Sequence, residues 1–115
     1  MPGVEDMADL FAAFGPVRTR RMFGGAGLYA EGVMFALEAD GTLYLKADAA
    51  LAADFEALGC VPFSYEARGR RRVISYWSVP EAALDDPDEM AHWARRALAV
   101  ALAAAVSRRR RSTAG

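Results

Sequence analysis

The sequence predicts an α+β fold, a two-layer sandwich of an antiparallel sheet with helices, in the order α-β(3)-α-β(2)-α. Three observations carry that prediction. Strand-like runs are separated by two-residue pairs suited to tight hairpins, which makes neighbouring strands antiparallel. Stretches of helical period stand at the beginning, middle and end instead of alternating with single strands, which argues against a Rossmann-like domain. The chain of 115 residues holds one core and is too short for two of ordinary size.

Residues 4–14 form the first helix: Val4, Met7, Leu10, Phe11 and Phe14 recur at three and four residues, and Gly15-Pro16 stops them. Residues 17–23 read as an extended segment, after which Gly24-Gly25-Ala26-Gly27 breaks regular pairing. Three strands follow at residues 28–30, 33–39 and 42–47, joined by Glu31-Gly32 and Asp40-Gly41. Asp48 caps a second helix with Leu51, Phe55 and Leu58 on one face and Gly59 at its end. Residues 63–67 and 72–79 make a second hairpin around Arg68-Gly69-Arg70-Arg71, and Pro80 closes it. Asp86-Pro87-Asp88-Glu89 places a capping acid, a proline at the first helical position and a Glu three residues after the cap. The helix that starts there presents Met90, Trp93, Ala94, Ala97 and Ala101 as a narrow small-residue stripe and ends near Val106. Residues 1–106 are thus the expected domain, and the Arg-rich residues 107–115 an expected disordered tail.

Hydrophobic residues make up 54% and charged ones 25%, a globular balance that excludes disorder for the bulk of the chain. The charge-free stretch at residues 97–107 is about half the ~20 residues a membrane helix needs. The acidic start, Met1-Pro2-Gly3-Val4-Glu5-Asp6, lacks the layout of a signal peptide, so the expected compartment is the cytoplasm. One cysteine, Cys60, and one histidine, His92, leave neither a disulfide nor a structural zinc site to build. No cofactor, metal or catalytic residue is expected. Cys60 has no ordered His, Asp or Asn in support, and Asp85, Asp86, Asp88 and Glu89 lack the alternating spacing of a calcium loop and suit helix capping.

Net charge is −1, yet apart from Lys46 every basic residue is an arginine, and these fall in groups: Arg18, Arg20 and Arg21; Arg68 and Arg70, Arg71 and Arg72; Arg95 and Arg96; and four from Arg108 to Arg111. Arginine suits bidentate contact with phosphate or carboxylate. Arg18, Arg68, Arg70, Arg71 and Arg72 are candidate nucleic-acid contacts; for Arg18, Arg20 and Arg21 the alternative is a solvated face or pairing with sheet neighbours such as Glu38 and Glu66. Four neutralised phosphates give a salt slope of only about −3.6 on duplex DNA, so that binding is expected to be weak. The residues 24–27 cluster is a structural turn or an anion or small-ligand loop, although neither the dinucleotide nor the P-loop spacing occurs. Tyr29, Phe35, Tyr44, Tyr65, Tyr76 and Trp77 are aromatics of the strands, for the core or for stacking nucleobases.

The stretch Arg20-Arg21-Met22-Phe23-Gly24-Gly25, with Gly27-Leu28-Tyr29, Met34-Phe35-Ala36-Leu37, Leu43-Tyr44-Leu45-Lys46, Pro62-Phe63-Ser64-Tyr65, Ser75-Tyr76-Trp77 and Val79-Pro80, resembles the TfoX (Sxy) N-terminal domain family over residues 10–105. The resemblance implies the same two-layer order. It also implies a role in regulation: full-length members are positive regulators of bacterial competence genes that work with the cyclic-AMP receptor protein at promoters, with no enzymatic activity attached to the domain. Those members carry a second, C-terminal domain, for which the expected helix end near Val106 leaves no room, so a single-domain member is expected. The resulting expectation is a non-enzymatic interaction module, with Arg20, Arg21, Gly24 and Gly25 contacting a protein partner in the transcription machinery, or an anionic group. Direct nucleic-acid binding and small-ligand binding at the glycine segment are the alternatives.

Overall fold

The computed structural model of the chain describes residues 9–22 and 24–114. Most of the expected first helix, residues 4–8, lies outside the described residues. Asp9 and Leu10 are helical, and turns follow in which the amides of Phe14 and Gly15 donate to the Phe11 carbonyl. Phe11 and Phe14 pack their rings against Phe35, with centroids 5.6 and 5.0 Å away.

Six strands form one antiparallel sheet: β1 Arg18–Met22, β2 Gly25–Ala30, β3 Val33–Ala39, β4 Thr42–Lys46, β5 Pro62–Ala67 and β6 Arg70–Ser78. Their order across the sheet is β1-β2-β3-β4-β6-β5. The expected α-β(3)-α-β(2)-α order gains a strand, because residues 18–22 pair along their whole length with β2. The turns match expectation. Glu31, Asp40 and Arg68 have φ of 51°, 55° and 54°, each followed by a positive-φ glycine, the geometry of two-residue turns whose twist matches the strands. The third turn is confined to Arg68-Gly69, so Arg70 and Arg71 belong to β6.

Helix α1, Ala49–Ala57, starts where the Asp48 carboxylate accepts from the Leu51 amide at 2.9 Å. Leu51 and Phe55 are buried, whereas Leu58 lies beyond the helix end and is exposed, so the expected three-residue face is two residues long. A short helix not foreseen, α2 at Glu81–Leu84, precedes α3 at Pro87–Ala114. Asp86 caps α3, its Oδ1 accepting from the amides of Asp88 and Glu89. The helix passes the expected end near Val106 and runs through the arginine group. Arginine is a good helix former, and positive charge complements the C-terminal end of the helix dipole.

The helices cover one face of the sheet. Met90, Ala94, Ala97 and Ala101 are buried with Leu28, Phe35, Leu43 and Leu45 in the core, since alanines let the helix axis lie close to the strands. A bulge between Leu28 and Tyr29 sets Ala36 opposite Leu28 and Met34 opposite Tyr29, which leaves Phe35 as the extra residue, and Phe35 and Ala36 are both fully buried.

Candidate functional site

Strand alternation decides where the arginines go, because successive side chains point to opposite faces. Leu43 and Leu45 face the helices, so Tyr44 and Lys46 face away, and through the register so do Leu37, Tyr76 and Ser78. In β1, Arg18 stands opposite Tyr29 and Arg20 opposite Gly27, on the helix-free face, while Arg21 stands opposite Ala26 on the helix side. Arg20 and Arg21 therefore diverge. In β6, Arg70 and Arg72 share the phase of Tyr76 and join the helix-free face, while Arg71 takes the other side and donates to the Ser64 hydroxyl at 3.0 Å. Arg68 occupies the turn.

The glycine segment is a strand rather than a loop. Gly24 turns with φ +72°, but Gly25, Ala26 and Gly27 lie in β2, paired on both sides. A Cβ on Gly25 would overlap the Glu38 carbonyl oxygen, and one on Gly27 would lie 2.8 Å from the Met34 sulfur and 3.1 Å from the Met22 sulfur. These two glycines are explained by close packing, and Met22 and Met34 close over Gly27 on the helix-free face.

That face carries an aromatic row. Tyr44 meets Phe63 edge to face at 4.9 Å, and Phe63 stacks with Tyr65 at 6.1 Å. Tyr65 and Met22 are exposed, and Tyr29, Met34, Tyr44 and Phe63 are half-buried. Phe35 and Trp77, by contrast, join the helix side of the sheet. Cations accompany the row: Arg18 and Arg20 on β1, Arg70 and Arg72 on β6 beside the edge strand that carries Phe63 and Tyr65, and Lys46, whose ammonium sits 5.0 Å from the Tyr76 ring centroid and donates to the Ser75 hydroxyl at 3.2 Å. Burial, and then the charge of Arg108, push the Lys46 ammonium below its ordinary value, which brings the end of α3 to this corner. Grooves of ≈ 640 and ≈ 720 Å³ flank Tyr29, the first lined by Arg18 and Arg20, the second by Met34, Leu102 and Arg108, and both by Glu31 of the β2–β3 turn.

No strand position of the helix-free phase carries an acid. Glu38 and Glu66 have the opposite phase; Glu38 accepts from the Gly41 amide, and among the described residues neither pairs with an arginine. The ion pair of the described residues, Arg96 with Asp54 at 2.7 Å, links α3 to α1 on the helix side. Sequence reasoning named Arg18, Arg20, Arg70 and Arg72 and missed Lys46, Met22, Met34 and Phe63 as members of the same surface. The alternation of Leu43-Tyr44-Leu45-Lys46 was the available signal for Lys46.

Other reactive side chains stand elsewhere. Burial pushes the Cys60 thiol up, partly offset by a hydrogen bond with Ser78, which keeps it protonated. His92 lies edge-on to Trp93. Among the described residues no three His, Cys, Asp or Glu side chains are grouped to hold a metal ion, and no helix is long and apolar enough to cross a membrane.

The comparison with known families agrees with this architecture. The model of the TfoX N-terminal domain matches residues 9–101. The chain belongs to the TfoX N-terminal domain family. A similar protein is the DNA transformation protein TfoX1 of Aliivibrio fischeri (strain ATCC 700601 / ES114), 39% identical over 67 residues, which are 58% of this chain and 32% of the relative. The chain thus matches about a third of that TfoX protein's length.

Proposed function

We propose that the chain is a non-enzymatic regulatory module of the TfoX type, acting in the cytoplasm on the expression of genes for DNA transformation. Its partner, in or at the transcription machinery, docks on the helix-free face of the sheet. The observation that carries this reading is the segregation of charge: a molecule of net charge −1 presents five cationic side chains and no acid at the strand positions of one sheet face, around exposed aromatic surface. Monomeric proteins rarely leave such a surface without a use. Family membership and the relative's name support the role in transformation.

The test is a chimera. In Aliivibrio fischeri lacking TfoX1, a TfoX1 whose matching segment is replaced by this chain is expected to restore uptake of marker DNA above the deletion background. The same chimera with Arg18→Ala and Arg20→Ala is expected to fall to that background. A chimera that accumulates normally yet yields no transformants overturns the proposal.

A further inference from the structure

We infer that the partner of the helix-free face is a single-stranded polynucleotide, a reading that rests on that face being the docking surface. The sheet supplies what such a partner needs. Arg18 and Arg20 on β1 and Arg70 and Arg72 on β6 stand four strand spacings apart, roughly 19 Å across the sheet at about 4.8 Å each, room for several nucleotides. Between the two arginine groups lie Tyr29 and Tyr44, and Phe63 and Tyr65 continue the row on the edge strand beyond β6, flat rings on which unstacked bases can lie whatever their sequence. Arg18, Arg20, Arg70 and Arg72 have no ion-pair partner among the described residues, so their charge is available to phosphates.

The arrangement favours a single strand over a duplex. A duplex keeps its bases stacked inside and offers the face only its phosphates, so the aromatic row would add nothing. A protein partner that matched both arginine groups would have to bring acids spaced about 19 Å apart together with apolar surface for the rings, whereas a polynucleotide brings both features as its repeating unit. The grooves beside Tyr29 hold Arg18 and Arg20 on one side and Arg108 on the other, with Glu31 at the turn the two share.

The test is fluorescence anisotropy of the full chain with a labelled oligothymidylate of about 15 nucleotides, a length within single-strand site sizes. A duplex of equal length serves as comparison, at about 50 and 200 mM salt. The single strand is expected to bind at least tenfold tighter than the duplex. With four phosphates neutralised, binding to it should weaken about 50-fold across that salt interval. Tyr65→Ala, at a side chain 46% exposed, is expected to weaken binding roughly 5- to 100-fold while leaving the salt slope unchanged. Arg18→Ala with Arg20→Ala should make the slope shallower by about 1.4. Circular dichroism of both variants controls for folding. No binding at low salt, equal affinity for duplex, or an unchanged affinity in Tyr65→Ala overturns the inference, as does sedimentation showing the face closed in a dimer. A chimera that still supports transformation while the purified chain ignores single strands would overturn this inference alone and leave the docking reading standing.

Discussion

Tyr76 shows how one side chain ties the sheet to its own electrostatics. It is 7% exposed, its hydroxyl reaches the Met34 carbonyl at 3.4 Å, and its pKa is pushed up to about 12, first by burial, then by nearby Tyr29, with Arg108 opposing. The unfolded phenol loses its proton near pH 10 and the folded one near 12. Its contribution is therefore fully present below pH 10 and is lost as pH rises through 12, up to about 3 kcal/mol for a shift of two units. Cys60, also raised by burial, has the same sign, with its loss beginning near its ordinary 9.0. Lys46, lowered by burial, has the opposite sign and recovers stability as pH rises to its ordinary 10.5. Urea unfolding followed from about pH 8 to 12 is therefore expected to show its clear fall above that, where Tyr76 alone of the three still titrates differently in the two states. Tyr76→Phe should flatten the limb above 10 and leave the earlier, thiol limb in place. If the phenylalanine variant declines as steeply as the parent, Tyr76 does not hold its proton in the folded state.

At the scale of the element, β2 is the least legible part of the chain and the most constrained. Its glycines show no hydrophobic period, so a reading based on alternation can see only a loop there. Gly25 faces the Glu38 carbonyl so closely that no side chain fits, a fact created by β3 and invisible in β2. The first two hairpin turns were legible for the opposite reason: Glu31-Gly32 and Asp40-Gly41 suit positive φ locally, without reference to the rest of the fold, whereas the third was read two residues too long because Arg70 and Arg71 belong to β6. The last helix was legible at its start, where Asp86 caps it, and not at its end, since an arginine run reads equally as solvated coil. The glycines separate these influences. Gly25→Ala is expected to cost about 2–3 kcal/mol, because the clash is with backbone that cannot move aside, lowering Tm by roughly 10 °C. Gly24→Ala, in open space at φ +72°, should cost only about 1 kcal/mol for its left-handed backbone. Thermal unfolding of the two variants checks the order, and a Gly25→Ala protein as stable as Gly24→Ala would show that β2 does not pass this close to β3.

For the whole molecule the question is how a chain of net charge −1 meets an anion. Charge along the sequence gives the groups, yet neighbours in a group part company in the fold: Arg20 and Arg21 face opposite sides of β1, and Arg71 leaves Arg70 and Arg72. Five cations collect on one face only through the register of six strands, which is why the surface was not readable from the groups. Screening at about 0.1 M salt acts over about 10 Å, shorter than the sheet is wide, so a charged matrix at that salt senses one face of the molecule instead of its net charge. The chain is therefore expected to be retained by a cation exchanger at pH 7 despite its negative total. Arg18→Gln with Arg20→Gln and Arg21→Gln with Arg95→Gln lower the net charge equally, but only the first pair removes charge from the helix-free face. The first variant should elute at clearly lower salt than the parent and the second close to it. Equal shifts for the two would mean that the matrix senses total charge, and the face would then have no field of its own with which to draw an anionic partner.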